Sequence, residues 1–163
     1  MIGGSTADAE LARIQPWADR APGITLAERE DRLARARAGL AAIGADALLV
    51  NAGPSLRYFT GVSWGTTERL VALLLPAVGR PIMICPTFEL GSLQAELVID
   101  ADIRLWEEDE SPIELVADAL APNAVLAIDP LLNFGAARQL GEKRRTVDAA
   151  PIIDGLRMRK SAA

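Results

Sequence analysis

Asp46-Ala47-Leu48-Leu49-Val50, Asn51-Ala52-Gly53-Pro54 and Leu56-Arg57-Tyr58-Phe59-Thr60-Gly61 are the residues whose reading decides the fold. The first five form a short apolar run bounded by turn residues, which reads as a buried strand. The next four are turn formers. Pro54 then begins a short helical turn that packs Tyr58 and Phe59 into the core. A polar loop follows, Val62-Ser63-Trp64-Gly65-Thr66-Thr67-Glu68-Arg69. Two further apolar runs, Leu70 to Leu75 and Pro81 to Cys85, are split by Pro76-Ala77-Val78-Gly79-Arg80 and read as a β-hairpin.

Upstream, a helix is expected to open at Thr25. Its hydroxyl can cap a free backbone N–H, and Glu28, three residues on, completes a capping box. Leu33, Ala36, Leu40 and Ile43 share one face, Arg32, Arg35 and Arg37 fall largely elsewhere, and Gly44 is placed to stop the helix. That pattern describes an amphipathic helix lying on a sheet. Residues 1–23 read as a partly irregular leader, broken by Pro16, Pro22 and Gly23, with Ile14 and Trp17 spaced to dock on the body as one short turn.

Downstream the pattern alternates between helix and strand. Phe88 to Leu97 reads as helix and Ile103 to Trp106 as strand. Ser111 caps a helix with Pro112 at its first position and Glu114 three residues on, running to about Leu120. Val125 to Ile128 is an inner strand, Asn133 caps Phe134 to Leu140, and Thr146 to Asp148 is a last strand. The expected fold is α/β: a mixed β-sheet, built from an antiparallel hairpin plus βαβα units, with helices on both faces.

Composition narrows the function. The chain has 163 residues, half of them apolar, and a net charge of −5 with no basic face, which argues against nucleic acid. No apolar run approaches the ~20 residues of a membrane span. The start lacks the charged and apolar parts of a secretion signal, so the expected location is cytoplasmic. The lone Cys85 excludes an internal disulfide. Histidine is absent, which removes Ser–His–Asp and Cys–His nucleophilic arrangements and, with one cysteine, the usual zinc sets. No phosphate loop or GxGxxG occurs. No catalytic and no metal-ligating residue is nominated.

Four features are weighed individually. Glu107-Glu108-Asp109-Glu110 could hold a hard cation, but reads first as a solvated turn near a helix N-terminus. Asp129, before Pro130, ends a strand where α/β proteins place functional groups. It has no obvious partner and reads first as a turn residue. Cys85 reads as core. Trp64, a large aromatic among small polar neighbours, reads as an interface or ligand contact.

The order of these elements, with Tyr58-Phe59-Thr60-Gly61 followed by a tryptophan loop and a hairpin, resembles the N-terminal domain of the creatinase/prolidase family. The resemblance covers roughly Leu26 to Ala163, and Phe59 stands where the family usually has leucine. It implies a ribonuclease-H-like fold that precedes a metal-dependent "pita-bread" catalytic domain. Ile152-Ile153-Asp154-Gly155-Leu156-Arg157-Met158-Arg159-Lys160-Ser161 resembles the family's junction, where the serine caps the first catalytic helix and a glutamate follows three residues later. Here only Ala162 and Ala163 follow, so the chain is expected to be a piece of a longer protein; a stop codon directly after Ala163 in its gene would refute this. The expected organisation is a leader (1–23), the N-terminal domain (24–150) and the start of a linker to a missing catalytic domain (151–163).

The family likeness implies the accessory domain of an Xaa-Pro dipeptidase (prolidase)-like metallopeptidase. Such a domain would mediate a homodimer and restrict the active site to short Xaa-Pro peptides. It implies a gating or interface role for Trp64 and, after it, Glu68 and Arg69. The two divalent ions expected of the enzyme (Mn²⁺, Co²⁺ or Zn²⁺) would be held by two aspartates, one histidine and two glutamates of the catalytic domain, none of them in this chain. The alternatives are a stand-alone small-molecule-binding or regulatory domain using the crevice near Asp129, and the N-terminal domain of a creatinase-like amidinohydrolase.

Overall fold

Six strands form one mixed sheet in a computed structural model that describes residues 3–17 and 20–159. They are β1 (Ala47–Asn51), β2 (Ala72–Pro76), β3 (Ile82–Pro86), β4 (Asp102–Trp106), β5 (Leu126–Ile128) and β6 (Thr146–Asp148). Their order across the sheet is β4-β3-β2-β1-β5-β6. β2 pairs antiparallel with both of its neighbours, while β3–β4, β1–β5 and β5–β6 are parallel. The helices are α1 (Ala7–Arg13), α2 (Leu26–Leu40), α3 (Pro54–Thr60), α4 (Leu90–Glu96), α5 (Pro112–Asp118), α6 (Phe134–Lys143) and α7 (Ala150–Arg157).

Strand alternation divides the core in two. Leu48, Val50, Leu73, Leu75, Met83 and Cys85 point to one face, which α2, α3, α4 and α7 cover with residues such as Leu40, Phe59, Leu93 and Ile153. Ala47, Leu49, Ala72, Leu74, Ile82 and Ile84 point to the other, under Ile113 and Val116 of α5 and Leu140 of α6. Because both faces are buried, β1 to β3 read as continuous apolar runs rather than alternating ones. The fold is therefore the mixed α/β sandwich expected, with helices on both sides.

Local capping works as the residues dictate. Thr25 Oγ1 accepts from the Glu28 N–H at 3.2 Å, Ser111 Oγ from the Glu114 N–H at 3.3 Å, and Asn133 Oδ1 from the Ala136 N–H at 2.8 Å. α2 tightens into a 3₁₀ turn (Ala41–Ile43) and stops at Gly44, whose φ of +63° is left-handed.

Several expectations need correction. The leader contains α1, capped by Thr6, and neither apolar residue after it docks: Ile14 is 70% exposed and Trp17 is 75% exposed. Pro16 stops propagation of the helix, but about two capped turns had room to form before it. Phe88 to Leu97 is helical as expected, as a 3₁₀ turn (Thr87–Glu89) followed by α4. Arg32 is not on the solvent side of α2 but buried at 7% exposure. From residue 151 the chain continues in α7, which buries Ile152 and Ile153 in the core. The junction residues Lys160 to Ala163 lie outside the described residues. Among the described residues, no helix is long and apolar enough to cross a membrane.

Candidate functional site

The arginines of α2 explain how α3 is held. Arg29 Nη1 donates to the Arg57 carbonyl at 2.7 Å and to the Tyr58 carbonyl at 3.3 Å, and Arg32 Nη1 donates to the Tyr58 carbonyl at 2.8 Å. These cations meet the C-terminal carbonyls of a short helix, where free acceptors and the helix dipole favour positive charge. Arg32 is also paired with Glu28 and lies 4.0 Å over the Tyr58 ring. Burial holds the Arg29 guanidinium below the usual arginine range, with repulsion from Arg32 and Arg57 adding to it.

Each residue of the Tyr58-Phe59-Thr60-Gly61 turn has a structural task. The Tyr58 hydroxyl donates to the Leu156 carbonyl of α7 at 3.2 Å. Phe59 is fully buried and meets the Tyr58 ring edge-on, with centroids 5.0 Å apart. Thr60 Oγ1 donates to the Leu56 carbonyl at 2.7 Å and accepts from the Val62 N–H at 3.1 Å. Gly61 turns the chain at φ +92°, and a Cβ there would lie 2.8 Å from Val98 Cγ2. The motif ends the helix and launches the loop at 62–69.

That loop is pinned by few bonds. The Ser63 N–H donates to Glu96 Oε2 at 2.5 Å, and Thr66 Oγ1 donates to the Ala52 carbonyl at 3.3 Å. Trp64 is half-buried, packed against the first core cluster, and more enclosed than its small polar neighbours suggest. With Pro54, Arg57, Ser63 and Thr66 it lines a depression of about 400 Å³. Glu68 and Arg69 take no part in that lining. Arg69 instead bonds Glu68 and Glu108, each at 2.8 Å, and its guanidinium stands 5.5 Å over the exposed Phe88 ring. The hydrogen bond to Glu108 raises the Arg69 pKa. The three residues nominated on this loop thus divide: Trp64 borders a concavity, while Glu68 and Arg69 tie the loop to the β4–α5 turn.

The remaining candidates are structural. The acidic run is a turn, with the Glu107 N–H donating to Glu110 Oε2 at 2.9 Å and Glu108 engaged by Arg69. Asp129 is a turn residue, as expected, but it does have partners. Its carboxylate accepts from the Asn51 N–H at 3.2 Å and the Leu131 N–H at 2.9 Å, joining the ends of β5 and β1. Burial pushes its pKa up, and the two backbone donors and Arg157 partly offset this. Cys85 is buried, and desolvation pushes its thiol up to about 11. Among the described residues, no three Cys, Asp or Glu side chains gather closely enough to hold a metal ion.

Reasoning from sequence overlooked Arg57. It is exposed and shares the wall of the Trp64 depression. Leu56 and Tyr58 beside it place it on the outer side of α3, but nothing in the sequence marks the depression.

Comparison with known proteins agrees with the architecture. The family model for the creatinase/prolidase N-terminal domain matches residues 32–159. A probable dipeptidase PepE of Mycobacterium tuberculosis is 36% identical over 104 residues, covering 61% of this chain and 28% of the relative. The crystal structure of dipeptidase PepE from Mycobacterium ulcerans superposes with a TM-score of 0.74 at 33% identity, over 86% of this chain and 39% of that one. The creatinase/prolidase N-terminal domain of an X-Pro dipeptidase from Streptococcus pyogenes shares the fold, with a TM-score of 0.66 at 18% identity over 77% of this chain and 98% of that one. The chain spans well under half the length of the two PepE relatives. On a family match that runs over most of its length, this chain belongs to the creatinase/prolidase N-terminal domain family, the domain that prolidase- and dipeptidase-like proteins carry at their N-terminus.

Proposed function

We propose that this domain serves an Xaa-Pro dipeptidase-like metallopeptidase of the cytoplasm by forming dimer contacts and by walling the active site against long peptides. The observation that carries this reading is Trp64: a half-buried aromatic on a loop with few bonds, bordering an open depression beside the exposed Arg57. An aromatic with a fixed base and one open face suits a contact with a partner subunit or a short substrate. Catalysis is assigned elsewhere. This chain has no histidine, its buried carboxylate Asp129 is taken up by backbone donors, and its acidic run is a turn. The residues do not fit a two-metal centre, so the divalent pair (Mn²⁺, Co²⁺ or Zn²⁺) falls to the catalytic domain of the longer protein, this domain's first partner.

The test compares this chain with the same gene expressed to its natural stop, assayed for Gly-Pro hydrolysis with added Mn²⁺. Activity in the longer protein alone is the expected result. Activity in neither would move the parent toward a non-peptidase relative such as a creatinase-like amidinohydrolase. Activity in this chain alone would overturn the argument from its residues. Asp129, which a stand-alone binding domain would use, is buried with its carboxylate held by backbone donors, and this favours the accessory reading.

A further inference from the structure

The depression beside Trp64 shares a wall with a larger one, of about 580 Å³, which runs between residues 22–24, α2, α3 and α7. Pro54 and Arg57 line both. Charge sets the larger one apart. Arg29 and Arg32 reach it from α2, Arg57 from α3 and Arg157 from α7, and no acidic side chain among the described residues lines it. The whole chain carries a net charge of −5, so this groove runs against its composition.

The four cations are only partly satisfied by the fold. Arg32, buried at the base of α2, is engaged by Glu28 and the Tyr58 carbonyl. Arg157 donates to Ser55 Oγ at 3.2 Å and lies near the Asp129 carboxylate. Arg29 holds the carbonyls at the end of α3 through Nη1, but its Nε–H is buried without an acceptor among the described residues. Beyond the effect of burial, its positive charge is opposed by Arg32 and Arg57. The Arg57 guanidinium is exposed and makes no hydrogen bond or ion pair among the described residues. The groove therefore combines crowded positive charge with N–H donors that the fold leaves unused.

Arginine forks take up carboxylate and phosphate oxygens alike, and two features favour phosphate. Four guanidiniums against the carboxylates of Glu28 and Asp129 leave at least two positive charges, the complement of a dianion. Donors carried on three separate helices suit a tetrahedral group, whose oxygens point several ways, better than a planar one.

We infer that this groove binds a phosphate group, either inorganic phosphate or the phosphoryl end of a small phosphate ester, with Arg57 as its exposed clamp and Arg29 and Arg157 beside it. The bound group ties α7 to α2 and α3. The site does not depend on the peptidase reading, and Trp64 takes no part in it.

The test is an NMR titration of the ¹⁵N-labelled chain with inorganic phosphate, phenyl phosphate and acetate, at constant ionic strength set with sodium chloride, following the arginine Nε–H signals. Phosphate is expected to shift the Arg29 and Arg57 signals saturably, and acetate to bind roughly tenfold or more weakly. Arg57→Gln should weaken phosphate by about tenfold or more, and Arg57→Lys, which keeps the charge but loses the fork, by less. Arg80→Gln, which removes an exposed cation paired with Asp100 and Asp102, should leave binding unchanged. In thermal unfolding, phosphate at about ten times its dissociation constant should raise the melting temperature about 2–4 °C more in the parent chain than in Arg57→Gln. That difference cancels the general stabilisation phosphate gives any protein. Phenyl phosphate binding at least as tightly as inorganic phosphate would identify the phosphoryl end of a larger molecule, and weaker binding would identify free phosphate; both support the inference. No saturable shift, acetate binding as tightly as phosphate, or indifference to Arg57→Gln would overturn it.

Discussion

Residues 46–61 and residues 62–69 adjoin in sequence and are held in opposite ways. The first stretch is β1, a turn and α3, sealed by Phe59 and Leu56 in the core, by Arg29 and Arg32 at the helix end, and by the Thr60 hydroxyl. The second crosses the surface on a bond at Ser63, a bond at Thr66 and the exposed pairs of Arg69. The stretch that identifies the family is the one whose residues work for the fold. The stretch beside it, with no motif beyond a tryptophan among small polar residues, borders the concavity. A diagnostic motif and a working surface need not be the same residues, and here the former positions the latter.

Substitutions can break or sharpen that contrast. The largest effect should come from Phe59→Ala, which empties a fully enclosed site and should cost about 3–5 kcal/mol in a urea or thermal unfolding experiment. Gly61→Ala should follow at about 2–4 kcal/mol, from the left-handed backbone and the clash with Val98 together. Its melting temperature, compared with that of Gly91→Ala, where a Cβ would meet nothing within 4 Å, isolates the turn from generic glycine effects. Trp64→Ala should cost about 1–2 kcal/mol, because only part of the ring is enclosed. In the longer enzyme it should change the ratio of dipeptide to tripeptide hydrolysis, or the dimer dissociation constant by sedimentation, more than it changes stability. A loss equal to that of Phe59→Ala would make Trp64 a core residue and dissolve the contrast. The smallest effect belongs to Arg69→Gln: its partners are exposed, so the melting temperature should not move measurably, and any shift should shrink in salt.

Much of the fold was legible because its signals are local. Thr25 with Glu28, Ser111 with Pro112, and Asn133 each mark a helix start through a hydrogen bond made within three residues. Apolar runs bounded by turn residues mark the central strands. What escaped depends on distant partners. Arg32 looked like a surface residue until the Tyr58 ring, twenty-six positions away, provided a stacking face and its carbonyl an acceptor. α7 reads in sequence as the start of a linker, because its residues fit the family's junction. Its Ile152 and Ile153 gain a helix only by packing into the core beside α2. At the candidate site, Trp64 was visible as an oddity of composition, whereas Arg57 was not. Nothing in its neighbours shows that two depressions would meet at its side chain.

The hydrogen bond from the Tyr58 hydroxyl to the Leu156 carbonyl has a mechanical consequence. It couples the last turn of α7 directly to α3, and α3 ends at the glycine from which the Trp64 loop departs. Tyr58 thus links α7 both to α3 and, through the guanidinium stacked on its ring, to α2. The loop's position is thereby geared to the orientation of the helix at the chain's far end, much as a rudder follows its tiller.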